Sequence, residues 1–357
     1  MNKKLLAIAV AAVVAMPAAA LANVTVYGRA HVSVDMLDDG ADYNELNLSS
    51  NSSRLGFKAE KKAENITGFV QIEQQVDFDD GVAFSSARDT FVGVKGDWGM
   101  VRIGQFDSPF KSARGPANLF GDQVGDMRNL TRIDGENVGS GAINNNRRAR
   151  FDERNPNTIH FQTKDFSGLR FNLAYSIHDE ASEDKLDGEK DEAISLSVTY
   201  KKDALDLALG YETYGEDQNR GERNAIRLAG AYSLSGDLKL VGFFQTVDYK
   251  GSNAAGNDAL TSDVLGLGAE YKVTKATAVK GMVMTRSADA DDSDSTMIAL
   301  GVEHRLDSSL RVYANYAMVQ NDDTVRLTPW NQGRTSGVLG AFGEDASALS
   351  LGLRFDF

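Results

Sequence analysis

Along most of this chain apolar and polar residues alternate one by one, in segments about ten residues long. Ile66–Phe78 puts Ile66, Gly68, Val70, Ile72, Val76 and Phe78 on one side, and Thr67, Gln71, Glu73, Gln75 and Asp77 on the other. Leu169–His178 sets Leu169, Phe171, Leu173, Tyr175 and Ile177 against Arg170, Asn172, Ser176 and His178. Ile194–Tyr200, Leu310–Met318 and the terminal Leu349–Phe357 repeat the arrangement. Side chains leave a strand on opposite faces in turn, so each segment reads as a two-faced strand. After Met16 no run approaches the ~20 apolar residues a membrane helix needs. Helical stripes and continuous apolar strands, the signs of a soluble core, are almost missing.

The connections alternate as well. Short ones fall near 61–64, 96–99, 165–167, 201–204, 234–237, 273–276 and 306–309. Longer polar ones fall near 39–51, 79–86, 106–152, 179–190, 215–222, 249–261, 288–294 and 321–346. Seven short and eight long connections join sixteen strands. Their length suits a tilted bilayer crossing, and in lipid a sheet satisfies its backbone only by closing on itself. The expected fold is therefore all-β: a 16-stranded antiparallel transmembrane β-barrel with short periplasmic turns and long extracellular loops. A soluble sandwich or propeller has no reason to make every turn at one end short. Nor does it explain Phe161, Tyr200, Tyr232 and Tyr271 just ahead of short turns, where an interfacial aromatic girdle would lie.

The first 22 residues carry Lys3 and Lys4, an apolar run from Leu5 to Met16, and Ala20-Leu21-Ala22. This is the form of an export signal cleaved after Ala22, leaving residues 23–357 as the barrel and outer membrane as the destination. Losing two lysines moves the formal charge from −13 to −15, an acidity that argues against nucleic acid as a partner. The chain has no cysteine, so disulfides and thiolate metal sites are excluded. Only His31, His160, His178 and His304 offer an imidazole base, and no Gly-x-Ser-x-Gly surrounds a serine, so no catalytic residue is assigned. The acidic stretch Asp289–Asp294 lacks the glycine and terminal glutamate of a calcium loop and reads as a solvated outer loop. No metal or cofactor is expected.

Val24–Met36, Ser53–Glu60, Arg88–Phe110 and the closing Leu353–Phe357, in this order and spacing, resemble the trimeric general porins of Gram-negative bacteria. The resemblance covers essentially the whole chain after residue 22. It implies a homotrimer in the lipid bilayer, in contact with lipopolysaccharide, that passes ions and small hydrophilic solutes. It implies that Phe357, ending an amphipathic strand, is the signal read by the barrel assembly machinery. It also implies that the irregular stretch 106–152 is the third loop, folded inward to narrow the pore.

On that resemblance the positions matching the basic ladder of the pore wall are Arg29, Arg54, Arg88 and Arg154. The opposing loop carboxylates are Asp122, Asp126, Asp134 and Glu136, although Gly115 and Leu119 fall where the family often has acids. Strand parity puts Arg29 with His31, Ser33 and Asp35, Arg54 with Lys58 and Glu60, and Arg154 with His160 and Gln162. Arg88 shares parity with Val92 and Val94, so its strand does not separate cleanly. Facing rows of charge would set a transverse field across the narrowing and tune ion selectivity. The acidic excess leans the expectation toward a weakly cation-selective general diffusion channel. A substrate-selective channel for a sugar or organic anion is the alternative.

Overall fold

The computed structural model describes residues 23–133, 135–139, 150–177, 192–215, 222–250 and 254–357. The proposed export signal lies outside them.

The first seven strand segments are β1 (Asn23–Asp38), β2 (Asn44–Ser50), β3 (Arg54–Ala63), β4 (Ile66–Asp77), β5 (Val82–Ala87), β6 (Thr90–Gly96) and β7 (Gly99–Asp107). A long loop then leads to β8 (Arg154–Thr163), β9 (Leu169–Ser176), β10 (Ala193–Lys202), β11 (Leu205–Tyr214) and β12 (Arg223–Ser233). The chain finishes with β13 (Leu238–Tyr249), β14 (Ser262–Lys272), β15 (Thr277–Ala288), β16 (Ser295–Arg305), β17 (Leu310–Asn321) and β18 (Ala346–Asp356). Neighbours pair antiparallel throughout. β2 and β3 share one edge of β1, and β5 and β6 share one edge of β4, so the eighteen segments form sixteen staves. β1 closes the ring on β18, from Arg29 opposite Asp356 to Asp38 opposite Ser347. Among the described residues no strand edge is left to seek a partner, which is what a sheet in hydrocarbon requires.

The sidedness is the reverse of a soluble protein's. On β18, Leu349, Leu351 and Leu353 are 52%, 59% and 40% exposed, while Ser350 between them is fully buried. Val279, Val283, Leu300 and Tyr316 likewise point outward. An apolar band of this extent in water would be an aggregation surface, whereas against acyl chains it costs nothing. Tyr232 and Tyr271 are exposed beside short turns, and Phe161 stacks on Trp98 at 6.2 Å, as a girdle requires.

All seven short turns fall where the alternation stops. The sequence reading misses at two long connections. Residues 39–51 and 79–86, read as loops, hold β2 and all of β5 but Ala87, because polar residues still pair in a strand whose outer half stands clear of the bilayer. Arg88 is explained by a bulge. Gln71 faces Phe91 but Gln74 faces Ala87, so the stave gains one residue near Arg88 and its parity flips. Arg88 thereby joins Phe91, Gly93 and Lys95 on the inside while Val92 and Val94 face out.

The largest buried apolar side chains lie inside the ring, not between layers of sheet. Phe110, Phe120, Met127 and Leu130, from the loop after β7, and Trp330, from the loop after β17, are 0–1% exposed. The wall beneath the first loop is built of small residues. Phe110 packs on Gly210, Leu119 on Gly268 and Phe120 on Gly301. A Cβ at any of these glycines would stand only 3.0–3.2 Å from the loop side chain above it, so the loop would have to give way locally.

Candidate pore constriction

The segment between β7 and β8 turns inward at Ser108. The Ser108 hydroxyl accepts the Lys111 N–H at 3.1 Å, and Pro109 begins a single helical turn, α1 (Pro109–Ser112). A second turn, α2 (Arg128–Thr131), follows the loop tip. Wall side chains hold this path by its backbone. Ser195 accepts the Phe110 N–H at 2.9 Å, and Arg227 donates to Phe110 O at 3.1 Å. Lys280 donates to Leu119 O at 2.8 Å and to Gln123 Oε1 at 2.7 Å, and Gln245 donates to Thr131 O at 3.0 Å. Gly125, with φ +86°, sits against Ala299 and Ala317, where the conformation and the contact both demand glycine. The loop is therefore lashed to the β10–β17 side of the barrel.

Its tip reaches toward the opposite wall. Asp122 lies 2.7 Å from Arg128, 3.5 Å from Arg29 and 3.8 Å from Arg54. Arg29 and Arg54 are direct cross-strand neighbours, a like-charge pair that repels unless an anion lies between them. Asp122 is that anion. Burial pushes its carboxyl upward, but Arg128, Arg54, His31 and Arg29 outweigh burial and hold it well below the usual carboxylate range.

Arg88 and Arg154 continue the row farther round the wall, beyond β4 and β7 respectively. Arg88 Nε meets Glu73 Oε1 at 2.7 Å, Arg154 Nε meets Asp89 at 2.7 Å, and Arg154 Nη2 meets Asp107 at 2.8 Å. Arg29 also pairs with Asp356 at 2.7 Å. Arg29, Arg54, Arg88 and Arg154 thus lie on one arc of wall. Sequence reasoning missed that each has a wall carboxylate behind it. Glu73 was legible on the polar face of β4, but its pairing with Arg88 depends on the bulge.

The loop carboxylates fare unequally. Asp122 stands at the narrowing. Asp126 does not: it is fully buried, accepts the Asp122 N–H at 2.6 Å and pairs with Arg128 at 2.6 Å, so it braces the tip from inside. Glu136 lies on a tight turn higher in the mouth, where its backbone O accepts from Arg326 at 2.7 Å. Asp134 falls outside the described residues. Phe357 continues the ladder with β1, exchanging backbone bonds with Gly28 at 2.8 and 3.0 Å, while its ring stays 55% exposed on the outer face.

Above the narrowing lies a cavity of about 660 Å³. Seven of its lining residues are basic: Arg88, Lys111, Arg128, Arg132, Arg150, Arg154 and Arg334; one, Glu136, is acidic. Glu153 lies behind this surface, bridging Arg132 at 2.8 Å and Arg150 at 2.5 Å. Burial pushes the Lys111 ammonium down to about 7, assisted by Arg154, Arg114 and Arg132 and opposed by Asp107. Below the narrowing, on the inner face of adjacent staves, Lys58 lies over Tyr27 at 4.2 Å, and Arg102 over Phe106 and Phe91 at 3.9 and 4.7 Å. The rings are bases for cations here, and no cluster of metal-binding side chains occurs among the described residues.

A family profile described as Gram-negative porin matches residues 7–324. An anion-selective porin from Comamonas acidovorans has the same fold, with TM-score 0.77 over 94% of this chain and 100% of that one, at 22% identity. The major outer membrane protein P.IB of Neisseria sicca is 24% identical over 225 residues, 60% of this chain. A chitoporin of Vibrio furnissii is 42% identical over 101 residues, 24% of this chain. The matched stretches span 56% and 26% of those two relatives' own lengths. With a closed barrel of sixteen staves, an inward loop and a profile match over most of its length, this chain belongs to the Gram-negative porin family of the outer membrane.

Proposed function

We propose that the protein is a water-filled diffusion channel for ions and small hydrophilic solutes, and that it favours anions. The observation that carries this is the mouth above the narrowing, with seven basic residues and one acidic residue around one cavity. A charge that lines a low-dielectric wall acts on a passing ion far more strongly than one screened in bulk water. The acidic excess that favoured cations in the sequence is largely spent elsewhere. Asp38, Asp39, Asp80, Asp289, Asp291 and Asp292 sit at or beyond the outer ends of the strands, whereas Asp79 accepts a hydrogen bond from Thr335 at the mouth. Within the pore, Glu73, Asp89 and Asp107 are tied to arginines. The anion selectivity named for the Comamonas protein of the same fold agrees with this reading.

No chemical step is required. Arg29, Arg54, Arg88 and Arg154 would exchange part of an anion's hydration for guanidinium contacts, while Asp122 keeps the site from holding the anion too tightly to release it. Arg88 and Arg154 are the ladder members that also face the mouth. The reading extends to a homotrimer in contact with lipid and lipopolysaccharide, inserted through recognition of Phe357. Gel mobility before and after boiling tests the oligomer: a band that collapses on heating supports it. Purified protein in planar bilayers should give stepwise conductance that grows with salt concentration, and a silent film would overturn the channel.

A second reading, a sugar-selective channel, draws on the chitoporin relative and on Phe69, Phe91 and Phe106 meeting on adjacent staves, with Tyr27 two staves from Phe69. Against it, the Tyr27, Phe91 and Phe106 faces already carry Lys58 and Arg102. Block of conductance by low concentrations of an oligosaccharide would favour this reading.

A further inference from the structure

Arg102, on the inner face of β7 below the narrowing, has no carboxylate partner among the described residues, whereas Arg29, Arg54, Arg88 and Arg154 each meet one. Two rings and an imidazole hold it instead. Its Cζ lies 3.9 Å from the centroid of Phe106 and 4.7 Å from that of Phe91, and those two rings meet edge to face. Its Nε donates to His160 Nδ1 at 3.0 Å. Because arginine only donates, His160 carries its proton on Nε2, which donates to Asn172 Oδ1 at 3.3 Å. Gln162 Nε2 donates to the same oxygen at 2.7 Å. This relay fixes the tilt of the guanidinium. Neither Nη of Arg102 has a partner among the described residues, and neither is buried, so that edge opens on the lumen.

Apolar surface lies beside that edge. Phe69 meets Phe91 edge to face at 6.0 Å, and both rings are half-buried. Gly93 stands opposite Phe69 on one neighbouring strand and Arg102 on the other. A Cβ there would lie 2.6 Å from Phe69 Cζ and 2.9 Å from Arg102 Cβ, so glycine lets the ring and the arginine share one level of the wall. A halide at this place would use the charge and leave the rings wet. A sugar would need a free ring face, and Arg102 already lies over Phe91 and Phe106. A flat acid with an apolar body uses both features. We propose that Arg102, Phe69 and Phe91 form a subsite for small aromatic carboxylates on the periplasmic side of the narrowing. The carboxylate sits bidentate on the Nη edge, and the ring lies against Phe69. The subsite gives the anion-favouring channel proposed above a substrate class, and it rests on that reading.

The test is planar-bilayer recording in potassium chloride with potassium benzoate and potassium acetate as probes. Benzoate should reduce the chloride current at a concentration about five-fold lower than acetate does, since only benzoate reaches both the guanidinium and the rings. Arg102→Gln should weaken benzoate about five-fold, to the level of acetate, and Phe69→Leu about three-fold. Equal action of the two acids on the parent channel would overturn the proposal, as would a benzoate effect that Arg102→Gln leaves in place. Phe69→Leu keeps an apolar side chain at the same position, so it reads the subsite even if Arg102→Gln fails to insert. A benzoate effect unchanged by Phe69→Leu would likewise overturn the proposal. If the parent favours potassium over chloride and still shows the Arg102-dependent benzoate effect, the anion preference fails and the subsite stands. If it favours chloride and benzoate acts no better than acetate, the subsite fails and the anion preference stands.

Discussion

Two arcs of one barrel wall follow the same period-two rule and have opposite interiors. From β3 to β8 the inner face carries arginine, lysine, carboxylates and histidine, and at Gln75, Arg88 and Arg154 it borders the mouth cavity. From β10 to β17 it carries Ser195, Gly210, Ala229, Gly268, Ala299, Gly301 and Ala317, and it borders protein. The alternation says which side of each strand turns inward. What waits there is decided by how the inner residues are mixed: glycine and alanine leave room for the loop to dock, and Arg227, Gln245 and Lys280 between them bind its backbone. The charged arc is where selectivity is set, and the small-residue arc is what holds the loop that sets it.

The largest effect is expected on the packed arc. Arg227 and Asp152 meet at 2.5 Å with both side chains fully buried, and Arg227 also binds the backbone of α1. Arg227→Leu strands Asp152 and should cost about 3–5 kcal/mol, read as a lower unfolding temperature and noisy, flickering conductance. A variant as stable and quiet as the parent would mean the arc does not hold the loop.

Effects on the wet arc should appear in selectivity and leave the barrel intact. Arg54→Ala removes one of the two wall guanidiniums facing Asp122 and should lower the anion-to-cation permeability ratio about two-fold. An unaltered ratio would count against the ladder. Asp122→Asn, the opposite change at the same contact, should raise that ratio by a similar or smaller factor; a fall would mean Asp122 serves only to brace Arg128.

The smallest effect is a pH dependence. With its ammonium pushed down to about 7, Lys111 is charged below that pH and loses its charge above it. Anion preference should therefore decline modestly between pH 6 and 8, and Lys111→Met should remove the decline. A preference that grows with pH would contradict the assignment.

Much of the barrel was legible because its rules are local. Strand periodicity and turn residues located sixteen staves and all seven short turns. Parity correctly turned Arg29, Arg54 and Arg154 inward. The failures were non-local. Arg88 was ambiguous because one added residue near it flips the register, and only the partner strand reveals that. Asp126 looked like a pore carboxylate, since sequence does not distinguish an acid facing water from one folded under Arg128. The small inner residues of β11 to β17 were visible but unread, because alternation with glycine and alanine looks like a weak strand until a loop lies on it. The inward course of the loop after β17 left one sign, a Trp-bearing stretch amid polar residues, and nothing in that stretch named Asp35 as the partner of Arg334.

The central claim is that ions sense the lining and not the net charge of the chain. The zero-current potential of the purified channel across a planar bilayer, measured with unequal potassium chloride on the two sides, tests it most directly. A potential of the sign set by chloride moving faster than potassium is the expected result, despite a formal charge of −13. A potential set by potassium would contradict it.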